Sequence, residues 1–460
     1  MSGMDFEKAL APFEERMRTA DLPEVAVRTF AHFYRKLISG ETGMIPEDSI
    51  DPVACLPALE DFRGKFTTVG PDAAARTVMV KLNGGLGTSM GMRQAKSLLP
   101  VRGELRFIDI IARHALARGV PLVLMNSFAT RGDSLEALKA YPALWDTAVG
   151  LDFVQHKFPK VLQSDLSPAE SPDDPELAWN PPGHGDIFAA LVSSGMLRRL
   201  LESGFEYAFL SNGDNLGADL DHDLLGYFAH HKLPFMMEVA RRTEAVAKGG
   251  HIAHRKSGGL LLRETAQTPE EDRLHFQSPE RHPYFNTNNL WVHLPSLQQK
   301  LDEYDGVLPL PLIRNAKTLD PRDLDSPPVY QLETAMGAAI EVFPDAQAVS
   351  VNRDRFAPVK TTDDLLAVRS DAYTLTDDFR VVLQREAPPE INLDPEFYRL
   401  IDRFDARFPS GPPSLIACAR LRIRGDVAFG KDVVLRGNVE IDNPAGGQIV
   451  IPDAGLLQGD

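Results

Sequence analysis

The spacing of apolar positions changes character along the chain. Over residues 5–38 it is helical, with Phe6, Leu10, Phe13 and Met17 on one stripe and Val27, Phe30, Phe33 and Leu37 on the next. Gly40 is the expected stop, and ETGMIPEDSIDPV (41–53) reads as a turn-rich connector. From about residue 70, short apolar runs alternate with helical patterns. RTVMV, PLVLM, YAFLS, PFMMEVA and NNLWVHL predict strands. Ile187, Ala190, Leu191, Leu197 and Leu201 predict one face of a helix that opens after Asp186 as N-cap and ends near Gly204. Such alternation implies an α/β fold, a mostly parallel sheet covered on both faces, with ligands beyond the carboxyl ends of its strands. Residues 370–415 are polar and proline-rich in places. After them Leu421, Val427, Val433 and Val439 recur every six residues, as do Ile423, Phe429, Leu435 and Ile441. A hexad period with Gly425, Gly430 and Gly437 favours β-helix coils, although an ordinary strand pair also alternates this way. The expected division is a helical segment (1–65), an α/β domain (66–372), a linker (373–414) and a C-terminal β-helix (415–460).

Composition narrows the partners. A chain of 460 residues can bury a sizeable core. Its net charge of −16 argues against a general nucleic-acid or anionic-membrane surface, so a polyanionic ligand must meet a local basic site. Two distant cysteines, Cys55 and Cys418, suggest neither a disulfide framework nor a zinc cluster and fit a reducing cytosol. MSGMDFEKAL lacks the pattern of a signal peptide, and no apolar run is long enough to span a bilayer, so a cytoplasmic location is expected.

The chemistry concentrates first in KLNGGLGTSMGMRQAKSLL (81–99). Gly84, Gly85, Gly87 and Gly91 let backbone N–H groups approach a ligand, and Lys96 supplies a point charge for phosphate. The stretch reads as a phosphate-cradling turn between a strand and a helix. It is neither of the common fingerprints. Ala95, not glycine, precedes Lys96, and Gly85-Leu86-Gly87 is followed by Thr88, Ser89 and Met90.

Other segments place polar residues or glycine at the ends of apolar runs. SNGDN (211–215) carries Asp214, a hard oxygen ligand suited to Mg²⁺, though the same residues suit an ordinary turn. PPGHGDIF (181–188) is a rigid turn opening a helix, with His184 as a donor to phosphate or hydroxyl. FNTNN (285–289) carries Asn286 and Asn288, which point the same way by strand periodicity and suit sugar hydroxyls. AKGGHIA (247–253) and ETAQ (264–267) frame a hairpin in which Glu264 can take two hydroxyls. RFAPVKTTDDLL (355–366) sets Lys360 before a helix start, where a cation is unfavourable without an anion nearby. No nucleophile elbow or H-E-x-x-H pattern appears.

Taken together, KLNGGLGTSMG…KS, VLMNSF, PPGHGDIF, LSNGDNLGA, VAKGGHIA, FNTNNLWV, QLETAMGAAIEVF and RFAPVKTTDDLL resemble, in this order over about residues 40–372, the UTP–glucose-1-phosphate uridylyltransferases of eukaryotic type, which also occur in bacteria. The resemblance implies a doubly wound, Rossmann-like nucleotidyltransferase domain, an N-terminal helical segment and a C-terminal left-handed β-helix. It implies that Leu82, Asn83, Gly84 and Gly85 line the uridine and its phosphates, and that Lys96 contacts the triphosphate. Gln155, in DFVQHKFPK, would read the uracil edge with backbone near Gly84 and Gly183. Asn212 and Asp214 would lie at the phosphates, Asp214 holding Mg²⁺, and Lys360 would bridge the phosphates at the reacting centre. His184, Gly250, Glu264, Asn286 and Asn288 would surround the glucose. Gly213 and Arg93-Gln94-Ala95 depart from the family pattern without removing a charged group the chemistry needs.

The reaction so implied joins UTP and glucose 1-phosphate, giving UDP-glucose and pyrophosphate. Two other readings stand beside it: a uridylyltransferase for an N-acetylhexosamine 1-phosphate, and a non-catalytic nucleotide-sugar-binding scaffold. The joint presence of Lys96, Asp214 and Lys360 weighs against the scaffold. A nicotinamide dehydrogenase is a distant third, given the failed fingerprint. Nucleic-acid and membrane partners are not expected. An exposed β-helix edge offers a route to a homo-oligomer.

Overall fold

The two N-terminal apolar stripes fold as separate helices, Phe6–Thr19 and Glu24–Ile38, in a computed structural model that describes residues 5–242, 249–444 and 446–460. The single helical stretch expected over 5–38 breaks at Asp21, whose φ is 55°, and at Pro23, which serves as N-cap of the second helix. Proline has no N–H to continue the ladder. Phe13, Phe30 and Tyr34 are buried between the helices, and Phe30 meets Phe158 edge-on at 5.4 Å.

The expected strands all join one ten-stranded sheet. Its working half is the parallel set Tyr207–Asn212, Thr77–Asn83, Leu122–Asn126 and Asp152–Val154, in that spatial order. Phe235–Arg241, His251–Arg255 and Gln347–Val351 run in the same sense. Tyr284–His293, Leu260–Arg263 and Ile50–Pro52 run against them, so the sheet is mostly but not wholly parallel. Met79, Val80, Leu124, Phe209 and Leu210 are essentially solvent-free, as expected of strands covered on both faces.

The helix expected over 187–201 is two, Ile187–Ser193 and Met196–Glu202, divided at Gly195 with φ 69°. Asp186 does not cap the first. Its carboxylate instead accepts from the His156 N–H at 2.7 Å and contacts His156 Nδ1 at 2.8 Å, tying two loops together.

Residues 373–414, read as a linker, are folded: a strand pair, Tyr373–Leu375 with Val381–Leu383, precedes helices Pro395–Tyr398 and Ile401–Arg407. Tyr398 and Phe404 are buried, and the Tyr398 hydroxyl donates to the Val427 carbonyl. Beyond them both hexad rows are buried. Ser414–Arg424 and Val434–Asp442 pair in parallel, Leu421 facing Val439 and Ile423 facing Ile441, while Val427–Phe429 pairs in parallel with Ile449–Ile451. Among the described residues no helix is long and apolar enough to cross a membrane.

Candidate active site

The in-register pairing of Thr77–Asn83 with Tyr207–Asn212 sets Asn212 opposite Leu82. The glycine loop and the SNGDN turn therefore leave the sheet side by side. The Gly213 N–H donates to the Leu82 carbonyl at 2.9 Å, and a Cβ at Gly213 would stand 2.8 Å from that oxygen. Glycine suits this close approach. The loop itself does not run straight into a helix. It coils through short 3-10 turns at Thr88–Met90 and Lys96–Leu98, and the helix begins only at Phe107.

Lys96 and Lys360 converge on one atom. Their Nζ groups lie 2.8 and 2.7 Å from Oδ2 of Asp214. Burial alone would raise the Asp214 carboxyl, but Lys360 and Lys96 outweigh it and hold the group below the ordinary carboxylate range. Oδ1 of the same carboxylate is buried and has no hydrogen-bond partner among the described residues. An orphaned carboxylate oxygen fits a hard cation, and Mg²⁺ commonly takes one or two carboxylates and draws its remaining ligands from phosphates and water. No group of three or more His, Cys, Asp or Glu able to hold a metal occurs among the described residues, so phosphate oxygens would have to complete such a site.

Around this triad lies a cavity of about 330 Å³, lined by Leu82, Asn83, Gly84, Gly85, Lys96, Gln155, Gly183, His184, Asn212, Asp214 and Lys360. Every residue expected at the nucleotide is there. Gln155 follows the strand Asp152–Val154, and its N–H donates to the Asn126 carbonyl at 2.8 Å. Its side-chain amide covers Gly84 so closely that a Cβ there would lie 2.9 Å from Oε1 and 3.0 Å from Nε2. The Asn83 Nδ2 group is committed elsewhere, donating to Asn126 Oδ1 and Ser134 Oγ at 2.8 and 2.7 Å.

The 181–185 turn docks on Thr334: Thr334 N–H donates to Pro182 and Gly185 N–H to Thr334, each at 2.9 Å. Met336 N–H donates to His184 Nδ1 at 3.0 Å. Burial, aided by Lys360, lowers the His184 pKa to about 4, so the ring is neutral at pH 7. With Nδ1 accepting, Nε2 carries the proton and is a donor.

The remaining expected sugar residues form a cluster outside the cavity lining, reached through His184 and Met336. A Cβ on neighbouring Gly337 would lie 3.0 Å from Asn286 Nδ2. Asn286 N–H donates to the Gly250 carbonyl at 2.9 Å, and a Cβ at Gly250 would lie 2.5 Å from Glu264 Oε2. Burial, opposed by Arg242, pushes Glu264 up to about 7. The expected hairpin forms, His251–Arg255 pairing with Leu260–Arg263. Val246, Ala247 and Lys248 of VAKGGHIA lie outside the described residues.

Strand periodicity is not what brings Asn286 and Asn288 together. The register with Phe235–Arg241 jumps between Glu238–Asn289 and Val239–Asn286, and Asn288 takes φ 58°. This bulge turns the Asn288 carbonyl amide back onto its neighbour, and Asn286 Nδ2 donates to Asn288 Oδ1 at 2.9 Å. Sequence reasoning also missed Ser97, Phe107, Met125 and Pro181 in the cavity wall. It missed a buried pair beneath the site, Arg355 gripping Glu238 through Nε and a terminal guanidinium nitrogen at 2.8 Å each. One signal was available: Glu238 interrupts the apolar run PFMMEVA.

Known proteins resemble this chain over most of its length. Residues 27–436 match the family model for UTP–glucose-1-phosphate uridylyltransferase. The uridylyltransferase of Hordeum vulgare is 40% identical over 394 residues, 83% of this chain and 80% of its own, and that of Solanum tuberosum is 41% identical with the same coverage. A variant UDP-glucose pyrophosphorylase from Leishmania major, solved in complex with UDP-glucose, superposes with a TM-score of 0.92 at 42% identity, covering 99% of both chains. The corresponding enzyme of Trypanosoma brucei gives 0.90 at 44% identity, covering 98% of this chain and 99% of its own. A family model spanning most of the sequence, and solved relatives sharing the whole fold, place this chain in the UTP–glucose-1-phosphate uridylyltransferase family.

Proposed function

We propose that the chain transfers the uridylyl group of UTP to glucose 1-phosphate, giving UDP-glucose and pyrophosphate by in-line attack on the α-phosphorus. The observation that carries this reading is the pair of lysines meeting one buried carboxylate inside a glycine-lined cavity. A phosphate monoester is largely dianionic at neutral pH, its second pKa being about 6. It needs no general base. The difficulty is bringing two polyanions together and stabilising charge on the departing pyrophosphate.

Lys96 and Lys360 supply fixed positive charge there, and a bound phosphate would replace Asp214 Oδ2 as their partner. Asp214 would hold Mg²⁺ through its free oxygen; the ion, when bound, offsets negative charge on the phosphates. Gln155 reads the uracil edge over Gly84, beside Gly183. Leu82, Asn83, Gly85 and Asn212 line the uridine and phosphates. His184, Gly250, Glu264, Asn286 and Asn288 surround the glucose, His184 donating from Nε2.

The parallel C-terminal strands support a left-handed β-helix over 415–460: Leu421 and Val439 are 18 residues apart, three hexads, and stand side by side. Its last coil, exposing Val450 and Leu456, is a candidate self-association edge. The absence of paired cysteines fits the cytoplasm.

A pyrophosphate-release assay over a panel of sugar phosphates and nucleoside triphosphates tests the assignment. Highest kcat/KM is expected for UTP with glucose 1-phosphate. A strong preference for an N-acetylhexosamine 1-phosphate would overturn the glucose assignment, and UDP-glucose binding without turnover in Mg²⁺ would make the chain a scaffold.

A further inference from the structure

We infer that Asn215 is a positioning residue for uridylyl transfer, clamping the Asp214 turn to the segment 355–359 and so fixing where Lys360 stands; this rests on the reading of Lys360 given above. Asn215 is 2% exposed, and its side-chain amide is fully used. Oδ1 accepts from the Ala357 N–H at 2.8 Å and the Gly217 N–H at 3.2 Å. Nδ2 donates to Asn289 Oδ1 at 3.1 Å and to the Arg355 carbonyl at 3.2 Å. An amide both donates and accepts, and no other side chain of this size satisfies all four contacts.

The clamp has a rigid base. Glu238, fully buried, takes both arms of Arg355 and the Asn289 amide at 3.0 Å. Asn289 thus joins the base to Asn215. On the far side the Val359 N–H donates to the Asp214 carbonyl at 3.1 Å, and Asn215 bridges Pro358. The two turns carrying Asp214 and Lys360 are therefore stitched on both sides of Asn215.

This matters because the Lys360 side chain is 57% exposed and long. Its own packing does not place the ammonium; the backbone at 357–360 sets where the side chain starts, and Asp214 Oδ2 meets its end at 2.7 Å. Asn215 itself does not line the cavity. Its influence on the reaction passes through Lys360, and that route can be tested apart from a general role in folding.

The test is a double-mutant cycle. Asn215→Ala and Asn215→Asp are each made in the wild-type chain and in Lys360→Ala, with melting temperature, KM and kcat measured for all. Asn215→Asp keeps the size and the accepted bonds, and decides the matter where Asn215→Ala fails to fold. In the wild-type background kcat should fall about tenfold or more, with KM for both substrates within about twofold. In the Lys360→Ala background the same change should cost less than about twofold in kcat, because its target is gone. Equal losses in both backgrounds, or wild-type kcat in the folded Asn215 variants, would overturn the inference. Wild-type turnover in Lys360→Ala alone would instead overturn the role assigned to Lys360.

Discussion

Lys360 meets Asp214 across a sequence separation of 146 residues, Nζ to Oδ2 at 2.7 Å. The ion pair links the two turns that carry the charges of the proposed site, and it gives the Lys360 ammonium a partner there. If Lys360 instead serves the leaving group during turnover, its removal should damage the chemical step more than binding. Lys360→Ala is expected to lose roughly 2.7–4 kcal/mol of transition-state stabilisation, the range for a lost oxyanion donor. Steady-state kinetics should show this in kcat, with the KM for UTP changed far less. Lys96→Ala should behave similarly, and near-normal turnover in either variant would reject its catalytic role.

Gly84 leaves space for the Gln155 amide and for nothing more. A methyl at position 84 would sit 2.9–3.0 Å from three atoms of that amide, which must then swing aside. Because the obstruction is the end of a flexible side chain, the fold should survive. Gly84→Ala is expected to raise the KM for UTP about 2–10-fold, the worth of one lost hydrogen bond, with little change in kcat. Selectivity for UTP over CTP should relax. Gln155→Ala should reproduce the effect, and the double variant should add nothing to it. Full additivity would mean that Gly84 acts by another route.

These contacts were unequally legible in the sequence. Strands such as Thr77–Asn83 and Tyr207–Asn212 announce themselves because burial on both faces demands unbroken apolar runs. The loops that follow them leave the carboxyl ends of the sheet, where such sheets bind ligands, while the grouping of Leu82–Gly85, Asn212 and Asp214 at one nucleotide came from the family resemblance. Asn286 and Asn288 could not be related correctly, since their meeting depends on a bulge set by the register with Glu238 and Val239 on another strand. The folding of 373–414 was hidden for a different reason. Its apolar residues, Phe397, Tyr398, Leu400, Ile401 and Phe404, fall in one short stretch between polar and proline-rich ones, and part of what they pack on lies further along the chain, the Tyr398 hydroxyl donating to the Val427 carbonyl.

Glu264 gives the sugar side a measurable pH dependence. In the proposed sugar site its carboxylate would accept from sugar hydroxyls; with its pKa pushed up to about 7, it protonates in the free chain near neutrality. The kcat/KM for glucose 1-phosphate should therefore fall between pH 8 and 6 more steeply than in Glu264→Gln, whose substrate titrates identically. Superimposable profiles would remove Glu264 from the sugar site. The same shift bears on stability. Between its ordinary value of 4.5 and about 7, the folded chain holds more protons at this position than the unfolded chain. Wild-type stability should thus decline relative to Glu264→Gln as pH rises through that window, by on the order of 1–3 kcal/mol in denaturant melts.

A Cβ at Gly250 would stand 2.5 Å from Glu264 Oε2 and 2.7 Å from Cδ, so Gly250→Ala must displace the carboxylate. The KM for glucose 1-phosphate should rise about tenfold or more, with the KM for UTP within about twofold. Parallel increases in both constants would indicate a general distortion instead.

The C-terminal strands call for substitution rather than deletion. Leu415, Leu421 and Val427 belong to the same buried cluster as Val359 and Leu365 of the catalytic domain, so removing 415–460 would open that core and confound any change in mass. The open edge can be altered without touching it. Val450 is 63% and Leu456 59% exposed, on strands that among the described residues pair on one side alone, with Val427–Phe429 and Val434–Asp442. An unpaired edge with apolar side chains invites a second copy, and charge there opposes it. Val450→Glu with Leu456→Lys should leave the melting temperature within a few degrees and lower the mass seen by light scattering to that of one chain. An oligomer that persists in this variant would place the contact elsewhere, and a wild-type chain already of single-chain mass at high concentration would exclude association through this edge.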